Sequence, residues 1–194
     1  MVKALTLVFA PAYSWEKIED AEKGVGWIFL SMLLPVALLG CAGEAWLLTR
    51  LGLQAGFDRV VRVAPEAAVF YGALQFFLGI VTVFVAAKFL QSIALGSHGR
   101  PPYAKCFTLV AYSYGPHFLF RLLDGAPGMN TWLCWVLGMI FVLKLLYSGL
   151  PPVIKPDPVR GFGIVVGIGV FILSLSGIIH FVAGELLLQK VKGQ

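Results

Sequence analysis

The sequence predicts an all-α polytopic membrane protein, with five transmembrane helices behind an amphipathic helix lying at the membrane interface. Three observations carry this reading. Of 194 residues, 59% are hydrophobic and only 13% charged, about half the roughly 25% charged share that a soluble domain uses to cover its surface. Five apolar stretches are long enough to cross a hydrocarbon layer about 30 Å thick, which takes about 20 helical residues. Between the stretches lie Pro and Gly clusters with the turn chemistry expected outside the membrane. The composition excludes disorder and a disulfide-stapled secreted fold. A nucleic-acid binder is excluded too, because the net charge of +5 is dispersed over the loops. The organisation expected is an interfacial segment over 1–24 and a five-span membrane unit over 25–194.

Taken in order, Lys3, the apolar run Ala4 to Ala10 and Ala10-Pro-Ala12 loosely resemble a signal peptide, but the run is at the short limit for such a region and has a single lysine before it, so the signal-peptide reading is not preferred. Trp15, Ile18, Ala21 and Val25 then recur at helical spacing, with Glu16, Lys17, Glu19, Asp20, Glu22 and Lys23 on the remaining surface. That pattern suits a helix in the headgroup region, anchored by Trp15 and capped by Ser14. The spans follow at about Val25 to Leu48, Ala68 to Leu95, Tyr103 to Leu123, Thr131 to Leu150 and Gly161 to Leu188. Breaks fall at Gly96 to Pro102, Asp124 to Gly128 and Pro151 to Pro158. The link from Arg50 to Glu66 is amphipathic, with Leu51, Leu53, Phe57, Val60 and Val61 interleaved with Asp58, Arg59 and Arg62.

Departures from a Leu, Val, Ile and Phe composition mark span surfaces that face protein. In the second span, Ala68, Gly72, Gln75, Gly79, Thr82 and Ala86 form one stripe of small and polar residues. The fifth span carries Gly163, Gly167, Val170, Ser174 and Gly177 at similar spacing, including one G-x-x-x-G. Gly72, Gly79, Gly163 and Gly167 are therefore the expected helix-packing positions, within the bundle or between protomers. Pro35 in the first span and Pro116 in the third each predict a kink, since proline has no N–H to offer and its ring clashes with the preceding turn. The carbonyl of Tyr112, freed by Pro116, needs a partner at that depth, and Gln75 is the candidate.

Ionisable residues within spans are the default functional hypothesis in a membrane protein. Glu44, His117, Arg121, His180 and Glu185 all fall toward the face on which the chain ends, so Glu44 or Glu185 can pair with Arg121. Gln75, Tyr112, Ser113, His117, Arg121 and His180 form the candidate polar intramembrane cluster. Most of the ionisable residues lie within about two turns of a span end, where long side chains reach water and an interfacial structural role competes with an ion pathway. No H-E-x-x-H, G-x-S-x-G or P-loop pattern is present, and Ser113 with His117 lacks an orienting acid. Cys41, Cys106 and Cys134 show no C-x-x-C spacing and read as small buried hydrophobes. No catalytic residue, metal or cofactor is predicted.

An odd number of spans places the termini on opposite faces, and Lys and Arg counts orient them. Lys3, Lys17, Lys23, Arg100, Lys105, Lys155 and Arg160 lie on the N-terminal face. Arg50, Arg59, Arg62, Arg121, Lys190 and Lys192 lie opposite. Lys88 and Lys144 add to the first group, so the N-terminus is assigned to the inside.

Several of these stretches resemble the bacterial Yip-domain integral membrane proteins. Pro11 to Ile18, followed by a first span carrying Leu34 and Pro35, is similar to that family's opening. Ala111 to Pro116 resembles its tyrosine-and-proline motif, and Leu146 to Lys155 its Tyr-x-x-Gly-Leu-Pro-x-x-x-Lys segment. The resemblance implies five membrane helices with a cytoplasmic N-terminus, in a bacterial cytoplasmic membrane. Eukaryotic relatives bind Rab GTPases, associate with one another and act in vesicle trafficking. This chain has almost no N-terminal domain ahead of its spans, so GTPase binding is not carried over. The expected function is a non-enzymatic scaffold, assembly factor or accessory subunit of a membrane complex, in membrane organisation or trafficking-like processes. Its partners are the lipid bilayer and other membrane proteins or further copies of itself, with no nucleic acid. The alternative is a small transporter or channel built around the kinked third span.

Overall fold

The computed structural model describes residues 11–54, 60–94, 100–124, 129–157 and 159–192. Its helices are α1 (Pro11–Glu19), α2 (Val25–Leu51), α3 (Pro65–Ile93), α4 (Tyr103–Asp124), α5 (Thr131–Ile154) and α6 (Gly161–Lys192). Of the described residues in the Arg50 to Glu66 link, Arg50 and Leu51 finish α2, Pro65 and Glu66 begin α3, and those between are not helical. Gly52, at φ 84, ends α2 in a conformation that a side chain would resist. Two-residue strands β1 (Leu53–Gln54) and β2 (Val60–Val61) then pair antiparallel. Phe57, Asp58 and Arg59 lie outside the described residues, as do Lys3, Ala4 to Ala10 and most of the Gly96 to Pro102 and Asp124 to Gly128 breaks.

Four helices, α2, α3, α5 and α6, are long and apolar enough to cross a membrane. Their outer surfaces suit hydrocarbon: Leu30, Phe77, Ile140, Phe162, Val170 and Ile178 are all exposed, far more apolar exposure than a water-soluble surface carries. The fifth long helix, α4, is different in kind. From Cys106 to Phe118 every residue is buried, so its whole circumference meets protein and its composition is free to be polar. Helices α2, α3 and α5 surround it.

Directions alternate along the chain. Gly40 and Gly43 of α2 meet Phe118 and Leu122 of α4, numbers rising together, so these two run parallel. Gly138 meets His117 while Gly149 meets Leu109, so α5 runs antiparallel to α4. Tyr71 meets Arg121 while Gly79 meets Phe118, so α3 opposes α4 and therefore α2; Phe89 stacks on Phe171 at 4.3 Å while Ile93 meets Gly167, so α3 opposes α6 as well.

The prolines act locally. Ahead of Pro35, Phe29–Leu33 is wound as a π-helix in which the Leu34 N–H reaches back to the Phe29 carbonyl. This wider turn lies where the proline's own N–H is missing. Helix α4 continues across Pro116. Pro151 and Pro152, expected to break the chain, instead occupy the last turn of α5, which runs on to Ile154. Each lacks the N–H that would bond four residues back, so the Tyr147 and Ser148 carbonyls lose those partners although the helix continues. The turn closes with Lys155 at φ 53, its N–H donating to the Pro151 carbonyl.

Helix α1 packs on α5. Trp15 is 0% exposed; it faces the protein interior, and the headgroup anchor expected of it is not seen. Its indole Nε1–H donates to Ser148 Oγ at 3.2 Å and its ring meets Tyr112 edge-on. Gly149 makes the socket, since a Cβ there would lie 2.5 Å from Trp15 Cε2. Ser14 falls within the helix, which starts three residues earlier at Pro11, so it is not the cap. At the other end of α1, Glu19 Oε1 accepts from Lys105 Nζ at 3.0 Å and Lys155 Nζ at 3.1 Å. The Lys105 hydrogen bond, then the Lys155 bond, holds the Glu19 carboxyl below its ordinary range.

Candidate functional site

Glu44, Tyr71, His117, Arg121, Asp124 and His180 gather near the C-terminal end of α4. Three elements bring them there. On α2, Gly40 lets the backbone approach so closely that a Cβ would collide with the Phe118 carbonyl oxygen. One turn further, Glu44 therefore faces Arg121. The Arg121 Nε–H donates to Glu44 Oε2 at 3.0 Å, and Nη2 donates to the same oxygen. Both partners are buried, Arg121 at 4% exposure and Glu44 at 0%. From α3, Tyr71 lays its ring 5.8 Å from the Arg121 guanidinium carbon, a cation–π contact worth more away from water. From α5, Gly138 gives His117 its space, since a Cβ there would lie 3.0 Å from Nδ1.

The histidines sit against this pair. His117 packs edge-on to Tyr114 at 5.0 Å between ring centroids. His180 of α6 meets Trp132 edge-on at 4.8 Å and stacks on Trp135 at 6.3 Å, while Trp135 Nε1–H donates to Ser176 Oγ at 3.0 Å. Asp124 and Cys134 complete the ring of side chains, and the gap that His117, Arg121, Asp124, Cys134, Trp135 and His180 enclose is too tight for a water molecule. Both Arg121 donors converge on one carboxylate oxygen, so Glu44 Oε1 has no hydrogen-bond partner; nor do Asp124 Oδ1, His117 Nδ1 and His180 Nδ1. No group of three or more His, Cys, Asp or Glu side chains among the described residues has metal-holding geometry.

Of the six residues predicted as a cluster, His117, Arg121 and His180 come together. Tyr112 points elsewhere, toward Ile18, Ala21, Lys23, Trp27 and Ile28. Ser113 is fully buried and its Oγ has no partner. Gln75 is buried, but its Nε2 donates to nothing, so it does not supply the hydrogen bond expected at the Tyr112 carbonyl. Glu44 rather than Glu185 pairs with Arg121. Asp124, read as part of a loop, closes α4 and is buried. Tyr71, Trp135 and Ser176 gave no signal, because an aromatic or serine in an apolar run reads equally as lipid-facing. All three cysteines are free and buried.

The glycines divide between two environments. A Cβ at Gly72 would lie 2.9 Å from the Cys41 carbonyl oxygen, and one at Gly79 would lie 2.8 Å from Phe118 Cε1. At Gly167 the nearest atom is Ile93 Cδ1 at 3.3 Å, whereas Gly163 has open space around it. Val170 and Ser174 are exposed too, so α6 turns Ile164, Ile168, Ile172, Ser176 and His180 inward instead.

No curated protein and no solved structure matches the chain. The Yip1 domain profile matches residues 5–179, which takes in α1 to α5, the first part of α6 and both halves of the buried ion pair, and the chain accordingly belongs to the Yip1 domain family.

Proposed function

We propose that this protein is a non-enzymatic five-pass membrane bundle that serves as a scaffold, assembly factor or accessory subunit for other membrane proteins. One observation carries the reading. Among the described residues Arg121 pairs with Glu44, the gap enclosed by His117, Arg121, Asp124, Cys134, Trp135 and His180 has no room for a water molecule, and the outer faces of the spans are apolar. A catalytic or transport site has to admit its substrate; a packed polar interior instead fixes which helices associate and in what register. The family is not known for enzymes. The fifth pass is α4. It runs parallel to α2 and antiparallel to α3 and α5, and a helix enclosed by spans need not be apolar itself. The excess of Lys and Arg around α1, Lys105 and Lys155 supports a cytoplasmic N-terminus.

Purification in a mild detergent followed by reconstitution tests the proposal. A membrane-protein partner retained at fixed stoichiometry through two affinity steps, with no solute flux in liposomes, is the expected result. Flux that falls in His117→Ala and Gln75→Ala variants overturns it and supports a transport route instead.

A further inference from the structure

We propose that the groove between α2 and α3 holds one acyl chain of a bilayer phospholipid, with the headgroup phosphate at Arg50 and Arg62. The groove has a volume of about 490 Å³ and an almost wholly apolar lining. Small residues make its floor: Cys41, Ala45 and Gly72, where the two backbones approach most closely. Its depth selects the occupant. Lining residues on α2 run from Thr49 to Leu38, about 16 Å at 1.5 Å per residue, or about half of a hydrocarbon layer some 30 Å thick. The groove thus descends through a single leaflet. Leu38, Phe76 and Phe77 line its deep end, the two phenylalanine rings packed edge-on at 5.3 Å. A partner helix crossing the bilayer needs a seam that continues past the midplane, whereas an acyl chain ends there.

The shallow end supplies the headgroup chemistry. Thr49 and Pro65 line it. Arg50, one turn beyond the exposed Trp46 on the same helix face, and Arg62, three residues ahead of Pro65, are both exposed. Trp46, 60% exposed, is an amphipathic ring suited to the interface. Glu66 is also exposed at this rim. Net attraction for an anion is therefore small, and it is the phosphate, common to zwitterionic and anionic phospholipids, that the two guanidinium groups recognise.

Native mass spectrometry of the full chain, incubated with phosphatidylethanolamine or with a phosphate-free galactosyl diacylglycerol, tests this. One retained phosphatidylethanolamine per chain is expected, with the galactolipid held less. Ala42→Phe and Ala73→Phe fill the groove from exposed wall positions and should each weaken retention by about tenfold. Val170→Phe, on an exposed face of α6 away from the groove, should change nothing. Arg50→Gln with Arg62→Gln should reduce the phospholipid to the level of the galactolipid. Equal retention of the two lipids by the unmodified chain overturns the proposal, as does equal retention by the groove variants and Val170→Phe. Stoichiometric disulfide formation between two copies of an Ala42→Cys variant also overturns it, since the groove is then filled by a helix.

Discussion

Removing the Glu44 carboxylate takes both of its hydrogen bonds from the buried Arg121 guanidinium, which keeps Tyr71 and the side chains of His117 and Asp124 nearby but no ion-pair partner holding it. Breaking a buried pair from one side costs about 3–5 kcal/mol, much more than replacing both partners with apolar residues of similar volume. Glu44→Gln should therefore lower unfolding stability in detergent by about that amount, and Glu44→Met combined with Arg121→Met should recover most of it. A single variant as stable as the parent contradicts the ion pair's place in the interior. Glu19 gives a pH signature outside the spans. Its pairing with Lys105 and Lys155 lowers its pKa in the folded state, so its contribution is fully present above its ordinary value of 4.5 and is lost as pH falls through the lowered folded value. Docking of α1, followed by Trp15 fluorescence, should weaken only on acidification below that range, and Glu19→Gln should remove the dependence. At this scale the sequence shows which residues are out of place in hydrocarbon, as with His117, Arg121 and His180. It does not show which way they turn. Tyr112 and Ser113 share a helix with His117, yet neither joins the cluster. Asp124, next to Gly125, could be read only as loop.

At the scale of the element, α1 is held by its tryptophan. Trp15→Ala removes a wholly buried indole, a loss of about 3–5 kcal/mol, and should release α1 from α5. Gly149→Val should do the same by filling the socket. Both should raise hydrogen exchange over 11–19 while leaving α3 and α6 protected; unchanged exchange over 11–19 contradicts the docking. The helical spacing of Trp15 and Ile18 was legible in the sequence, but an amphipathic face fits a lipid headgroup layer and a protein groove equally well. What decides between them is Gly149, more than a hundred residues away. Likewise the stripe from Ala68 to Ala86 is visible because Gln75 and Thr82 are polar, and all six of its residues are buried. The small residues of α6 are less informative. With apolar side chains on every face, nothing local marks which one meets lipid, and the structure turns Gly163 and Ser174 outward.

For the whole molecule, the sequence shows how many long helices there are and misses how differently they are placed. Tyr103 to Leu123 reads as one more span among five, although its Tyr, Ser, His and Arg content sets it apart from α2, α3, α5 and α6. Its burial explains that composition: a helix lined on every side by protein is solvated by its neighbours, and polar groups there cost little if they meet one another. The same burial makes its crossing the central claim. Labelling the two ends of α4 from each side of the membrane tests it most directly, using Arg100→Cys and Met129→Cys variants with a membrane-impermeant thiol reagent in sealed vesicles of known orientation. Position 100 should react from one side and position 129 from the other. Reaction of both from the same side would mean that α4 does not cross, and would contradict the five-pass bundle.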